Sequence, residues 1–300
     1  MIQVSNVSKS FDHFQVLTDL NLTVKKGSIY GLVGTNGSGK TTIIKHITGI
    51  LRQDEGKITI DDQNVFDNTT IKAKMGFIPD DLFFFSTYNL KEMGKFYRAL
   101  YPNWNQERFL TMVSQFGLDN QRKLSKFSKG MQKQAAFILT MSVMPDYLIL
   151  DEPIDGLDPI IRKLVWKTIV EDVADREMTV LVSSHNLREL EGICDCIGIL
   201  SGGKMMIERD LDELKSDIHK IQIAYGEEMK SENPYTGLNI LHQENRGSVD
   251  LLIIRNRKDV VESIISESKP LLFDMLPLSL EEIFIYELGG EKNEFHNILF

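Results

Sequence analysis

The chain has 300 residues, of which 42% are hydrophobic, and a formal net charge of −9 at pH 7. This length leaves room for one large and one small domain. The negative charge disfavours nucleic acid as a partner, because proteins that bind nucleic acid usually concentrate lysine and arginine on the binding surface. No apolar stretch reaches the roughly 18 residues of a membrane span, and no secretory signal precedes the first strand, so we expect a cytoplasmic protein.

A glycine-rich loop follows an apolar strand that we predict over residues 28–33. Residues 34–41 read Gly-Thr-Asn-Gly-Ser-Gly-Lys-Thr, the G-x-x-x-x-G-K-T pattern, and a helical run over 42–48 follows. The glycines let successive backbone N–H groups point at a phosphate, and the positive end of the helix lies behind it. The chain is therefore predicted to bind a nucleoside triphosphate. The predicted nucleotide contacts here are Asn36, Gly37, Ser38, Gly39, Lys40, Thr41 and Thr42.

Two of these residues have separate chemical roles in the predicted site. Lys40 neutralises β- and γ-phosphate oxygens and is counted among the catalytic residues, and the hydroxyl of Thr41 takes one Mg²⁺ position.

Residues 82–104 are rich in aromatic side chains, which surround a helix that Asn89 and Glu92 would start as a capping pair. The eight aromatic residues are Phe83, Phe84, Phe85, Tyr88, Phe96, Tyr97, Tyr101 and Trp104. Core packing would explain some of them, and an exposed remainder would form a docking patch.

Two carboxylates, Asp151 and Glu152, follow a second apolar strand at residues 147–150. A continuous apolar strand is typical of a parallel sheet that is covered on both faces, and such sheets bind ligands at the carboxyl ends of their strands. Asp151 is thus placed to hold Mg²⁺ through water, and Glu152 to orient the attacking water. Taken alone, the pair could be a solvated turn. The phosphate loop elsewhere in the chain favours a catalytic role for the two carboxylates.

Residues 127–132 read Phe-Ser-Lys-Gly-Met-Gln and precede an apolar helical run over 134–141. This segment resembles the Leu-Ser-Gly-Gly-Gln signature of ATP-binding cassette (ABC) ATPases; Ser128 and Gly130 match, and the first, third and fifth positions differ. The resemblance implies that this helix start caps the γ-phosphate of an ATP held by a second cassette. Read alone, Ser-x-Gly before a helix is an ordinary N-cap.

The resemblance covers residues 1 to about 215. It implies a P-loop NTPase cassette over residues 1–210, with a RecA-like α/β core, an antiparallel β subdomain and a helical subdomain at about 82–145. In the family, the helical subdomain carries a groove for a short cytoplasmic helix of a transmembrane permease. The expected protein is an ATPase that uses ATP and Mg²⁺, pairs with a second cassette, identical or not, and lies on the inner face of the cell membrane.

Three further positions fall in the family's order. Phe11 stands where the family stacks an aromatic ring on adenine, although such an aromatic residue, taken alone, more often belongs to the core. His185 follows a strand at 179–184 and matches the switch histidine that touches the γ-phosphate, although a lone histidine at a strand end is more often structural. Residues 155–159 resemble the loop that communicates between cassettes, with Asp155 and Gly156 in place of the usual small pair.

The clearest departure from the family is Asp80, where a glutamine usually reaches Mg²⁺ and the attacking water. An oxygen ligand is retained while its charge is changed. We expect Asp80 to be a metal ligand together with Thr41 and Asp151. The alternative is a solvated turn residue after Pro79.

The family's motifs stop after about residue 215. The pattern then predicts short strands at 221–225 and 249–254, a helical run at 260–265, and a terminal helix with a Ser279–Glu282 capping box and Gly289 just past its end. We predict a small α+β accessory domain over 211–300, whose role the sequence does not indicate. Cys194 and Cys196 are predicted to pack as small apolar residues.

Residues 128–131, Ser-Lys-Gly-Met, and 101–104, Tyr-Pro-Asn-Trp, resemble cassette subunits of bacterial exporters for antimicrobial or amphipathic peptides. The resemblance implies that the chain powers the export of peptides or drug-like molecules. The alternative is a soluble cassette ATPase that acts on ribosomes or nucleic acid, but such members usually carry two cassettes or a coiled-coil insertion. A second alternative is a scaffold that binds nucleotide without hydrolysis. Glu152 and His185 argue against that.

Overall fold

The computed structural model describes residues 1–226 and 235–287. The chain divides into two compact units, the first made of residues 1–185 and 192–208, the second of residues 186–191 and the chain from 209 onward. The division at residues 210 and 211 stays a prediction. The predicted boundary places the segment 186–191 in the cassette, whereas the contacts of that segment group it with the second unit.

The first unit contains both strands and helices after an initial hairpin. Its strands are β1 (Ile2–Phe11), β2 (Phe14–Val24), β3 (Ile29–Val33), β4 (Glu55–Ile60), β5 (Gln63–Asn64), β6 (Met75–Ile78), β7 (Tyr147–Asp151), β8 (Thr179–Ser184), β9 (Cys196–Ser201) and β10 (Lys204–Asp210). Its helices are α1 (Lys40–Ile47), α2 (Thr69–Lys72), α3 (Leu90–Leu100), α4 (Gln106–Gln115), α5 (Lys129–Ser142) and α6 (Pro159–Arg176).

A six-stranded sheet with the order β10-β9-β3-β8-β7-β6 forms the centre of this unit. Strands β6, β7, β8, β3 and β9 pair in parallel. All residues of β3, β7 and β8 are buried, which is why their sequences are almost continuously apolar. Because the strands are parallel, their carboxyl ends share one edge, and the loops that follow β3, β6, β7 and β8 meet there.

The predicted antiparallel subdomain is a four-stranded sheet with the order β2-β1-β4-β5. Its apolar face packs with α1 and with side chains of the central sheet in one buried cluster, which includes Ile2, Leu22, Leu32, Ile43 and Ile47. Helix α1 starts at Lys40, two residues before the predicted run, because the amide of Ile43 already donates to the carbonyl of Gly39 at 2.9 Å. This places the lysine of the phosphate loop in the first turn of the helix.

Helices α3, α4 and α5 occupy the region predicted to be helical. The capping box of α3 is confirmed, since Asn89 accepts from the amide of Glu92 at 2.8 Å and Glu92 accepts from the amide of Asn89 at 2.9 Å. Phe109 and Met93 are buried here, and a Cβ at Gly94 would lie 3.0 Å from the ring of Phe109. Close packing of α3 on α4 therefore requires the glycine.

The second unit is an antiparallel sheet with helices. Its elements are α7 (Leu211–Asp217), β11 (Ile218–Ala224), β12 (Ile240–Arg246), β13 (Val249–Arg255), α8 (Lys258–Glu267), β14 (Leu272–Leu276) and α9 (Leu280–Glu287). The sheet order is β12-β13-β11-β14, and Val261 and Ile265 of α8 pack on Ile221 and Leu252. The predicted strands, helices and Ser279–Glu282 box are confirmed, whereas Gly289 lies outside the described residues.

Neither cysteine forms a disulfide. Cys194 is buried and Cys196 is half-buried, and the latter packs against the main apolar cluster. Burial raises the pKa of the Cys194 thiol well above its usual value, so this side chain is a neutral, small apolar group, as predicted. Among the described residues, no helix combines the length and the apolar character needed to cross a membrane.

Candidate functional site

The loop between β3 and α1 has a shape that requires glycine at several points. A Cβ at Gly34 would lie 2.3 Å from the carbonyl oxygen of Leu200, so no side chain fits there. Gly37 and Gly39 have φ angles of +81° and +109°, a region that L side chains rarely adopt. The space around the Cβ position of Gly37 is open to 4 Å, so a ligand can approach the backbone at this point.

Lys40 is the cation of this loop and is almost fully buried, with 5% of its side chain exposed. Its Nζ donates to the carbonyl oxygens of Gly34 at 2.6 Å and Thr35 at 3.2 Å. It also lies 3.4 Å from Oε1 of Glu152. The ammonium group is thus held between the loop and the catalytic carboxylate predicted from the sequence, where it can neutralise phosphate oxygens.

The residues around the loop fit a nucleotide with a hard cation. The hydroxyl of Ser38 is buried and has no hydrogen-bond partner among the described residues, which leaves a donor for a phosphate. Thr41 is exposed, and Asp151 is 1% exposed with Oδ1 accepting from Ser183 Oγ at 2.6 Å. Hydroxyl and carboxylate oxygens are the ligands that Mg²⁺ prefers. Their role as metal ligands stays a prediction.

Glu152 lies at the centre of the site, on the loop after β7. Its carboxylate is 12% exposed, and Oε2 lies 2.9 Å from Nδ1 of His185 and accepts from the His185 amide at 3.3 Å. Its φ angle is +49°, which is uncommon for a residue with a side chain. A largely buried carboxylate fixed between Lys40 and His185 can orient a water molecule and accept its proton.

Two side chains that the sequence analysis missed hold the backbone of Glu152. The amide of Glu152 donates to Ser183 Oγ at 3.1 Å, and its carbonyl accepts from Nζ of Lys133 at 2.8 Å. The sequence contains a clue to Ser183, because this residue lies near the end of β8, the strand that pairs with β7, and is in register with Asp151. The sequence contains no comparable clue to Lys133, because a lysine on a helix such as α5 has no pattern that marks its contact with a distant loop.

Asp80 is exposed on the loop after β6, and its Oδ1 lies 3.3 Å from Nζ of Lys133. The carboxylate that replaces the family's glutamine therefore has a cationic partner. Its predicted contact with a metal stays a prediction.

Asp155 adds a further carboxylate near His185. Its Oδ2 lies 4.0 Å from Nδ1 of the histidine, and one ligand atom from each of Glu152, Asp155 and His185 lies within 4.8 Å of the others. The switch-histidine position thus faces two carboxylates.

The remaining predicted contacts lie outside this group. Phe11 is 43% exposed, with Nζ of Lys9 5.3 Å from the centre of its ring, so the ring is accessible for stacking.

Ser128 caps α5 by accepting from the amide of Met131 at 3.3 Å, which is the ordinary N-cap of the alternative interpretation. A Cβ at Gly130 would lie 3.1 Å from the carbonyl oxygen of Gly156. Roles of these residues toward a nucleotide stay predictions, as does that of the half-buried Thr42.

Comparison with known proteins gives consistent relatives. Residues 17–155 match the ABC transporter family. The ABC transporter ATP-binding protein YtrB of Bacillus subtilis (strain 168) is 32% identical over 97% of this chain and 99% of its own. The bacitracin transport ATP-binding protein BcrA of Bacillus licheniformis is 28% identical over 97% and 98%. A solved ATP-binding subunit of an ABC transporter superposes with a TM-score of 0.68 and 27% identity, over 72% of this chain and 92% of that chain.

Proposed function

This chain belongs to the ATP-binding subunits of ABC transporters, and on that premise we propose that it powers the export of an antimicrobial or other amphipathic peptide through a separate permease. As a member of this family it binds and hydrolyses ATP, and its P-loop cassette fold is confirmed. The observation that carries the ATPase part of the proposal is the group at the carboxyl edge of the sheet, in which the buried Lys40 and the largely buried Glu152 meet the exposed His185. The relatives are transport proteins, and they give no support to an ATPase of ribosomes or nucleic acid.

The residues divide the chemistry between binding and catalysis. ATP with Mg²⁺ supplies the phosphoryl group and the cation that balances its charge. Lys40 and the glycine-loop amides bind the phosphates, while Thr41 and Asp151 would hold the metal. Glu152 orients the attacking water and accepts its proton, and His185 holds the Glu152 carboxylate in place through the 2.9 Å contact. The low exposure of Glu152 excludes other water from this carboxylate.

We propose that the active form contains two cassettes, of this chain or of this chain with a different one. Ser128 is exposed at the start of α5, so the free amides of this helix end can face the γ-phosphate of a nucleotide bound to the partner cassette. Phe11, on the same argument, stacks on the adenine of the nucleotide bound in its own cassette.

The aromatic residues before and within α3 form the proposed permease contact. Among the described residues of this set, Phe83 is 83% exposed, Phe85 is 41% exposed and Phe96 is 37% exposed. Their rings touch in a series, with centroids of Phe83 and Phe85 6.1 Å apart and those of Phe85 and Phe96 5.4 Å apart. A contiguous exposed aromatic surface is typical of a protein contact site. Contact with a permease would place the chain on the inner face of the cell membrane.

The peptide substrate class is supported by BcrA, a bacitracin transport ATP-binding protein that matches nearly the whole chain, including the second unit. The test is co-expression of this chain with the membrane protein of the adjacent reading frame in a bacitracin-sensitive bacterium. We expect the two proteins to co-purify, and resistance to bacitracin or to a lantibiotic to rise and to disappear with Glu152→Gln. Co-purification without a change in resistance to any peptide would contradict the substrate class, and failure to co-purify would contradict the permease partner.

A further inference from the structure

The backbone of Glu152 is fixed by one hydrogen bond on each side of the residue. Its amide donates to Ser183 Oγ at 3.1 Å, and its carbonyl accepts from Nζ of Lys133 at 2.8 Å. With φ at +49°, the residue is in the left-handed region, where a side chain is disfavoured. Such a conformation persists only when the surrounding structure enforces it. The two hydrogen bonds hold the backbone of Glu152 in this conformation.

Lys133 reaches Glu152 from a different part of the fold. It lies in the second turn of α5, and only 12% of its side chain is exposed. A largely buried ammonium group requires compensating partners. Its partners are the Glu152 carbonyl and, at 3.3 Å, Oδ1 of Asp80. The Lys133 side chain therefore connects α5 to the loops that follow β7 and β6.

We propose that Lys133 is a positioning residue for hydrolysis, which keeps Glu152 in the conformation that directs its carboxylate between Lys40 and His185. The inference rests on the proposed catalytic role of Glu152. An ammonium group has three donors, so it serves the carbonyl and Asp80 together. Asp80 is 55% exposed and accepts only one of these bonds, so it supports Lys133 and contributes less than Lys133 to the position of Glu152.

The test measures kcat, KM for ATP and affinity for MgATP with the purified full chain. Lys133→Met keeps the apolar stem and removes the donor; we expect kcat to fall about ten- to a hundred-fold, with KM and MgATP affinity within about twofold of the wild type. Lys133→Arg retains a donor and should recover part of kcat. Lys167→Met is the matched control, since Lys167 also faces a carboxylate, Glu171 at 3.7 Å, but lies exposed on α6. It should behave as the wild type.

The kcat values of single and double variants at Asp80 and Lys133 give a second test, because a purely structural role of Lys133 would not produce the coupling expected between them. Asp80→Asn should lower kcat less than Lys133→Met, and the double variant should be no slower than Lys133→Met alone, because Asp80 acts on Glu152 only through Lys133. Independent, additive losses would contradict this arrangement.

Glu152→Gln, measured in parallel, separates failure of the inference from failure of the site. If Glu152→Gln is inactive while Lys133→Met retains wild-type kcat, the positioning role is overturned. Normal hydrolysis by Glu152→Gln would instead overturn the proposed role of Glu152 itself. Should Lys133→Met not fold, Lys133→Gln and Lys133→Arg replace it, and losses that follow the melting temperature with a raised KM would show that Lys133 only stabilises the fold.

Discussion

The carboxyl edge of the central sheet and the sheet of the second unit are built from similar elements but differ in their polar groups. At the edge, Lys40, Asp151 and Ser183 are at most 5% exposed. In the second unit, the fully buried side chains within 209–214, 217–226 and 235–287 are all apolar. Some of its ion pairs, such as Arg246 with Glu244 at 3.0 Å, lie on the surface, and the pair of Lys220 with Glu282 is half-buried. Burying polar groups is costly unless they are paired, so the buried polar side chains at the edge are consistent with a functional site there.

The difference follows from strand direction. Parallel strands bring loops from distant parts of the sequence to one edge, as with Glu152 and His185, which are 33 residues apart. In the second unit, β11 pairs antiparallel with β13 and β14, and β12 pairs antiparallel with β13, so the carboxyl ends of neighbouring strands lie at opposite edges of the sheet. A sheet of this kind divides its loops between two edges and does not collect them at one. The following predictions test how far the two regions are independent.

The largest effect is expected at the edge. Glu152→Gln should lower hydrolysis by roughly three orders of magnitude or more while ATP binding persists, because the amide keeps the shape of the side chain but accepts no proton. An ATP-bound dimer should accumulate on size-exclusion chromatography. Lys40→Ala should instead weaken binding itself, about ten- to a hundred-fold, through loss of a charged hydrogen bond. Glu244→Gln, an exposed carboxylate of the second unit, is the control and should leave turnover unchanged.

A core substitution in the second unit should destabilise that unit alone. Leu252 is fully buried against α8, so Leu252→Ala should lower the free energy of unfolding of this unit by about 2–5 kcal/mol. Affinity for MgATP should stay at the wild-type value. Denaturant unfolding and nucleotide titration of the same sample measure both quantities. A matching loss of ATP affinity would show that the two regions fold as one.

The exposed aromatic surface gives a third, smaller effect. Phe83→Ser should weaken permease binding by about 2 kcal/mol or more, roughly thirty-fold, if Phe83 is a central contact. Because its ring is 83% exposed, the melting temperature and the ATPase rate of the isolated chain should not change. Co-purification with the membrane partner and thermal unfolding measure the two outcomes. Leu110→Ser on α4, 52% exposed, is the control for loss of any exposed apolar side chain.

Asp80 should affect the dependence on metal more strongly than the maximal rate. A carboxylate attracts Mg²⁺ more strongly than an amide but also repels the γ-phosphate, and its pairing with Lys133 at 3.3 Å offsets part of both effects. Asp80→Ala should raise the Mg²⁺ concentration for half-maximal hydrolysis about two- to fivefold, and Asp80→Gln should restore part of it. Asp81→Ala is the neighbouring control. Superimposable titrations of the wild type and Asp80→Ala would show that Asp80 does not approach the metal.

The smallest effect is a pH dependence of the second unit. Burial alone would raise the pKa of Glu282, but hydrogen bonds from Lys220 and Ser279 and the charge of Lys220 together lower it below the ordinary 4.5. The folded state therefore binds this proton less well than the unfolded state, so the stabilisation is complete above pH 4.5 and disappears as the pH falls through the folded pKa. After allowance for solvent screening we expect less than about 1 kcal/mol.

The measurement is thermal unfolding of the second unit between about pH 3 and 6. Glu282→Gln should flatten the acid side of the curve, and Glu267→Gln, an exposed carboxylate on α8, should leave it unchanged. An unaltered curve for Glu282→Gln would assign the acid sensitivity to other groups.

Local chemistry explains which features could be predicted from the sequence. The phosphate loop needs only a strand, glycines at fixed offsets and a helix, and all of these lie within residues 28–48. The capping boxes at Asn89–Glu92 and Ser279–Glu282 are also local, because they join residues three positions apart. The order of the motifs along the chain also indicates the family, because that order does not depend on any side-chain contact.

The contacts of Glu152 depended on the tertiary structure. Lys133 and Asp80 are separated by 53 residues and meet only because β6, β7 and α5 pack together, and a lysine on a helix has no pattern that marks such a pairing. The same holds for residues 186–191, which follow His185 in the chain but group with the second unit. The sequence by itself determined the ligand class, the motifs and the type of each main element, since these arise from local spacing. Only the folded chain decided which side chains surround Glu152 and which aromatic rings are exposed, because those depend on packing between distant segments.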